Sequence, residues 1–93
     1  MTDSRFTIAL GANLDVSQVQ EKYKLFEDAL ARASSFTVDL SSINRIDTAG
    51  IQLLLAFKKE VQFRSGNVTW TAPAQPFLDV ASQLGLAHEF EGH

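Results

Sequence analysis

The amino-acid sequence predicts an α/β domain built on a mostly parallel sheet, and two patterns carry that expectation. In three short segments, residues 6–10, 36–40 and 68–72, apolar side chains occupy every second position, the period of a strand. Between them, residues 16–33 place apolar side chains at steps of three and four, and residues 51–64 gather theirs on one broad helical face. Strands that alternate with helices pair in parallel, because the crossover between parallel neighbours needs a helix and is almost always right-handed.

In the first strand Phe6, Ile8 and Leu10 alternate with Thr7 and Ala9, and Gly11 closes it; Leu14 begins a brief second one. A helix follows, with Val16, Val19, Tyr23, Phe26, Leu30 and Ala33 as its apolar stripe. Asp15 as N-cap puts Gln18 at the third helical position as capping-box partner and Leu14 against Val19 as a hydrophobic staple, and Ser17 with Gln20 is a second candidate cap. The strand at 36–40 comes next, with Phe36, Val38 and Leu40 on one face. Residues 51–64 are too long, and too rich in Leu, Lys, Glu and Gln, to be a strand. At about 100° per residue, Leu53, Leu54, Phe57 and Val61 share the face that covers the sheet, while Leu55 and Phe63 fall outside it. Those two residues either form a contact surface or pack beneath neighbouring elements.

Ser65-Gly66-Asn67 stops this helix, and Val68, Trp70 and Ala72 alternate with Thr69 and Thr71 in a further strand. Pro76 suits the first turn of a third helix, where its missing N–H would have no partner, and Phe77, Val80, Ala81 and Leu84 make the apolar stripe. Gly85 stands where a left-handed residue ends a helix, letting Leu86 fold back on Ala81 or Val80. Residues 86–90 leave room for a short edge strand and not for a closing helix. Glu91-Gly92-His93 reads as a loose tail.

Ninety-three residues fit one domain, residues 1–93, with an ordered core over about 5–90. A chain of this size buries only about 60 to 65% of its unfolded surface, so one compact core must carry its stability. Seven Phe and one Trp supply that core, and with no Cys the chain has neither disulfides nor thiolate chemistry. Eight basic residues against eleven acidic ones, scattered rather than striped, argue against nucleic acid and against an acidic lipid surface. The first residues, Met1-Thr2-Asp3-Ser4-Arg5-Phe6, lack the cationic head and apolar run of a signal peptide, and no apolar run approaches membrane-spanning length. The expectation is a cytoplasmic protein without direct membrane insertion.

Ligand sites on open α/β sheets lie beyond the carboxyl ends of the strands, which is where the loop from Ser41 to Gly50 falls. Within it Asp47-Thr48-Ala49-Gly50 leads into the second helix. Asp47 is a good N-cap: its carboxylate can accept a first-turn N–H and is favoured at the positive end of the helix dipole. Thr48 is then the first helical residue, its hydroxyl near the surface. A phosphate there would carry about −1.5 to −2 charges, favoured by the dipole and opposed by Asp47 alongside. From the residues alone, Thr48 reads as an ordinary first-turn hydroxyl.

Enzymatic chemistry finds little support. His88 and His93 have no carboxylate or cysteine at ligand spacing, so no metal is expected. The five Gly are isolated, so no phosphate-cradling loop exists and no cofactor is expected. Asp39 and Asp47 could approach each other, yet with no base, nucleophile or cavity they read as one solvated acid and one cap. The chain reads as a binding module and not as an enzyme.

Asp39-Leu40-Ser41, Asp47-Thr48-Ala49-Gly50 and Leu84-Gly85-Leu86, in this order among these elements, resemble the STAS domain. That fold is shared by bacterial anti-sigma factor antagonists, sulfate-transporter tails and a small ABC-transporter subunit. The resemblance covers residues 6–90 and implies a mixed, mostly parallel sheet of four to five strands covered by about three helices. In anti-sigma factor antagonists the hydroxyl residue after the motif's Asp is phosphorylated, and Thr48 matches that position, where those proteins usually carry Ser. The resemblance implies a signalling protein of transcription regulation that binds an anti-sigma factor, a serine-threonine kinase, when unphosphorylated and releases it when phosphorylated. Ser41, Ser42, Asn44, Arg45 and Leu55 are the expected partner surface around Thr48. The alternative implied is a non-catalytic STAS subunit docking on the ATPase of a phospholipid-transport ABC transporter, whose motif also carries Thr. A second copy of the chain is a further candidate partner.

Overall fold

The period-two segments become the three strands of one sheet in the computed structural model, which describes residues 5–91. Strand β1 (Arg5–Ala9), β3 (Ser35–Asp39) and β5 (Asn67–Trp70) lie in the order β1-β3-β5, both pairs parallel. Their register sets Ile8 beside Val38 and Val38 beside Trp70, and Phe6 beside Phe36 and Phe36 beside Val68. All these side chains therefore share one face, because residues two apart on a strand point the same way. The other face is polar, with Thr7, Thr37 and Thr69 in a row, and none of the described residues on it is buried. The core thus lies on a single side of the sheet.

Two further strands stand apart from it. β2 (Asn13–Leu14) pairs in parallel with β4 (Arg45–Ile46) as a separate two-stranded sheet. Gly11, at φ 74°, turns the chain away after β1, and the Ala12 carbonyl then accepts the N–H groups of both Asn44 and Arg45. The strands expected at 6–10, 14, 36–40 and 68–72 are present, β4 is an addition, and the five divide three and two between two sheets.

Three helices, α1 (Val19–Leu30), α2 (Thr48–Phe63) and α3 (Gln75–Gln83), complete the fold, with 3-10 turns at Val16–Gln18 and Ala87–Phe90. Phe26 of α1 stacks on Phe57 of α2 with ring centroids 4.4 Å apart, and Phe57 meets Phe36 of the sheet edge-on at 5.1 Å. A second aromatic group joins Trp70, Phe90 and Phe77, with Phe90 edge-on to each at 4.9 and 5.0 Å. Edge-to-face and offset pairs of this kind suit the aromatic quadrupole.

Several local expectations are corrected. Val16 and Tyr23, assigned to the apolar stripe, are 70% and 53% exposed. Val16 lies in a 3-10 turn, whose three-residue pitch rotates it off the helical face. Asp15 does cap that turn, but through Ser17, whose amide and hydroxyl both bond its carboxylate; Gln18 is not its capping-box partner but, in place of Ser17, stands at the N-cap of α1 without a side-chain cap bond. α2, by contrast, starts at Thr48 after the Asp47 cap, as expected. β5 ends at Trp70; the Thr71 amide still donates to the Val38 carbonyl at 3.0 Å, and its hydroxyl accepts from the Leu40 amide and donates to Asp39.

No edge strand forms over residues 86–90. α3 ends in a Schellman motif, with Gly85 at φ 72°, its N–H on the Ser82 carbonyl and the Leu86 N–H on Ala81. The chain then winds into the 3-10 turn that drives Phe90 into the core, while the Lys58 ammonium clasps the turn by the Glu89 carbonyl at 3.0 Å and carboxylate at 2.8 Å. The expected tail residues Gly92 and His93 lie outside the described residues.

Candidate functional site

The loop that leads into α2 is held from both sides by one carboxylate. Asp47 has an extended backbone, and its Oδ1 accepts the Gly50 N–H at 3.1 Å, the expected cap of the first turn. Its Oδ2 accepts the Val16 N–H at 3.0 Å, a bond to the loop between β2 and α1 that no local pattern announces. Gly50 is the second fixed point. A Cβ there would stand 2.1 Å from the Leu14 carbonyl oxygen and 3.0 Å from the Ile46 side chain, so only glycine lets α2 begin against the β2–β4 pair. The motif residues are thereby explained by geometry: Asp47 caps and ties, Gly50 permits the approach, and Ala49 is half-buried between them.

Thr48 is the first residue of α2 and is exposed. Its hydroxyl makes no hydrogen bond among the described residues, so it is held at the surface by its backbone alone. Arg45 is beside this surface, 74% exposed, its Nε 3.8 Å from an Asp15 carboxylate oxygen. Asp15 is kept below the usual carboxylate range mainly by the Ser17 hydroxyl bond, with smaller help from the Ser17 amide and Arg45. Val16, Arg45, Asp47 and Thr48 accordingly belong to one surface, to which sequence reasoning did not assign Val16.

The other expected surface residues are placed less uniformly. Ser42 and Asn44 are exposed, on either side of Ile43, whose burial anchors the loop. The Ser41 hydroxyl is already engaged, donating to Asp39 at 2.6 Å, with its amide on the same oxygen at 2.9 Å. These bonds, hydroxyl first, and the Thr71 hydroxyl hold the Asp39 carboxyl below its ordinary range. Asp39 is thus bound into the strand end rather than simply solvated. Leu55 lies seven residues after Thr48, about 20° around and about 10 Å along the helix. It is half-buried against the core, while Phe63 is 86% exposed.

No group of three acidic, His or Cys side chains among the described residues is placed to hold a metal ion. His88 is exposed, 3.4 Å from Glu89, and His93 lies outside the described residues. No helix among the described residues is long and apolar enough to cross a membrane.

A family profile described as "Mlab, STAS domain" matches residues 1–91. The chain belongs to the STAS family. Its fold is that of the anti-sigma factor antagonist SpoIIAA in its unphosphorylated form, at TM-score 0.78 and 18% identity over 97% of this chain and 80% of that one. The phosphorylated form of SpoIIAA, described as a Bacillus cell fate determinant, aligns at TM-score 0.73 and 18% identity over 97% of this chain and 83% of that one. A crystal structure of Mglu aligns at TM-score 0.68 and 16% identity, over 81% of this chain and 19% of that one. At such identities the likeness establishes the STAS fold alone. No match was found among curated protein sequences.

Proposed function

We propose that this STAS domain is a regulatory protein-binding module of the anti-sigma factor antagonist type, whose partner is exchanged when Thr48 is phosphorylated. The observation that carries the proposal is the exposed, unengaged Thr48 hydroxyl on the first residue of a helix whose preceding Asp47 ties two loops into one surface. Unphosphorylated, Val16, Asn44, Arg45 and Thr48 form the docking surface for an anti-sigma factor kinase, with Arg45 its one cation beside Asp15 and Asp47. A phosphate on Thr48 brings about −1.5 to −2 charges beside Asp47 and Asp15, so a partner matched to the bare hydroxyl is repelled. The helix dipole offsets part of that charge, so the fold itself tolerates it. The domain binds and does no chemistry of its own. Replacing Thr48 with Glu should abolish binding of the partner recovered with the wild-type protein while moving the melting temperature by no more than about 2 °C. Equal binding by the two proteins would defeat the proposal.

Thr at position 48 supports a second function, since the STAS subunit of the phospholipid-transport ABC transporter carries Thr in this motif. In that role Thr48 would be a docking residue on the ATPase. The protein would then copurify with membranes through that ATPase, and a protein recovered free of any ATPase would count against it.

A further inference from the structure

A groove of about 510 Å³ runs between α1 and α2, away from the Thr48 surface. Its floor is the stacked pair Phe26 and Phe57, with Leu30 and Leu53 beside them. It is open because Ala31 and Ala56, small and exposed, stand where longer side chains would close it. Tyr23, 53% exposed, lines one lip. On the other helix Phe63 lies about 20° around from Ala56 and about 10 Å further along. Phe63, 86% exposed, is thus on the same side of α2 as Ala56, beyond the residues that line the groove. Half-exposed aromatic side chains around a desolvated floor are the usual composition of a protein-binding surface.

The charges on the groove select its occupant. Three charged side chains line it, Glu27, Glu60 and Arg64. The Arg64 guanidinium is 2.8 Å from the Glu60 carboxylate, so those two neutralise one another. Glu27 is left with no cation among the described residues against it. The lining segment of α1, from Tyr23 to Ala31, is about 12 Å long, close to the span of about 10 Å between anchors at i and i+7 of a helix. We propose that this groove receives an amphipathic helix of a partner protein, with apolar anchors on the Phe26–Phe57 floor and a Lys or Arg against Glu27. A second copy of the chain is disfavoured by the same charge, since a twofold contact across the groove brings two Glu27 carboxylates into one interface. This site is independent of Thr48.

The test is an amide-resolved NMR titration of the protein with a synthetic 14-residue helix of Leu and Lys, and with its counterpart in which every Lys is Glu. The Leu/Lys helix should give saturable shifts confined to the two lips of the groove, and the Leu/Glu helix should not. Glu27→Lys should weaken the binding by about tenfold, the effect of one close charge pair. Ala56→Gln, at an exposed helical position, fills the groove without adding charge and should weaken it likewise without lowering the melting temperature, and Thr48→Glu should leave it unchanged. Shifts that do not saturate, that centre elsewhere, or that are equal with both helices would overturn the proposal. So would light scattering showing that the free protein is already a dimer which Phe63→Ser dissociates, because the face would then be covered by a second copy.

Discussion

The Asp47 carboxylate accepts the backbone N–H of Val16, thirty-one residues earlier in the chain, at 3.0 Å. With its other oxygen on the Gly50 N–H at 3.1 Å, this one side chain fixes both loops of the Thr48 surface. Its role is therefore wider than that of a helix cap.

Asp47→Ala should destabilise the protein by about 1 to 2 kcal/mol, the usual cost of losing an N-cap. Asp47→Asn keeps an oxygen for Gly50 but presents an amide group, which cannot accept, toward Val16. Its cost should be smaller, and amide exchange at Val16 should rise in both variants. Urea unfolding with hydrogen exchange measures the two effects separately; unchanged exchange at Val16 would contradict the tie.

Gly50→Ala would normally favour a helix. Here the added Cβ meets the Leu14 carbonyl oxygen at 2.1 Å, so α2 must shift, at about 1 to 3 kcal/mol. Gly11→Ala is the instructive comparison. Its Cβ would meet nothing within 4 Å, and only the left-handed backbone at φ 74° opposes it, at about 1 kcal/mol. Denaturant midpoints of the two variants should therefore differ, Gly50→Ala falling further.

Ser65, at φ 64°, is a side-chain-bearing residue in the left-handed position that ends α2. Ser65→Gly should relieve this strain and raise stability by about 1 kcal/mol, read as a higher melting temperature. The neighbouring Gly66 cannot exchange roles with it, since a Cβ at 66 would stand 2.1 Å from the Ser34 carbonyl oxygen.

The Glu89 carboxyl is held below the ordinary glutamate range by its hydrogen bond from Lys58 and then by the lysine's charge. A carboxyl depressed in the folded state stabilises fully above its unfolded pKa, about 4.3, and loses that contribution as the pH falls through its folded value. Asp15 and Asp39 are depressed too, so all three act in the same direction. The melting temperature should hold steady down to about pH 5 and fall below it, and Glu89→Gln should flatten the fall. An acid limb unchanged in Glu89→Gln would show that the Lys58 clasp contributes nothing.

The sequence made the main strands legible because each buries one face, so alternation survives in Phe6-Ile8, Phe36-Val38 and Val68-Trp70. It made the motif legible because an N-cap and its glycine are local features. β4 was invisible: two residues, Arg45 and Ile46, are too few to show a period. Val16 fits a helical stripe in sequence and leaves it only because a 3-10 turn has a different pitch. Leu86 to Phe90 allow an edge strand in sequence, and no periodic pattern in five residues tells that strand from the 3-10 turn that sets Phe90 into the core. The same holds for the bond from Val16 to Asp47, which exists only once β2 and β4 have paired.

The sheet order β1-β3-β5 has a consequence for how the chain folds. No two paired strands are joined by a hairpin: Arg5 pairs with Ser35, and Ser35 with Asn67, each across about thirty residues. Closing a loop of that length costs about 3 kcal/mol before the first ladder bond is gained. The helix contacts that cover β3 are little more local, Phe26–Phe57 spanning thirty-one residues and Phe36–Phe57 twenty-one, so ladder and helix packing share a similar closure cost and form together. Such a contact pattern places refolding among slower mixed α/β domains, with the strand that is last in the ladder to find its neighbour also the last to be protected from solvent exchange.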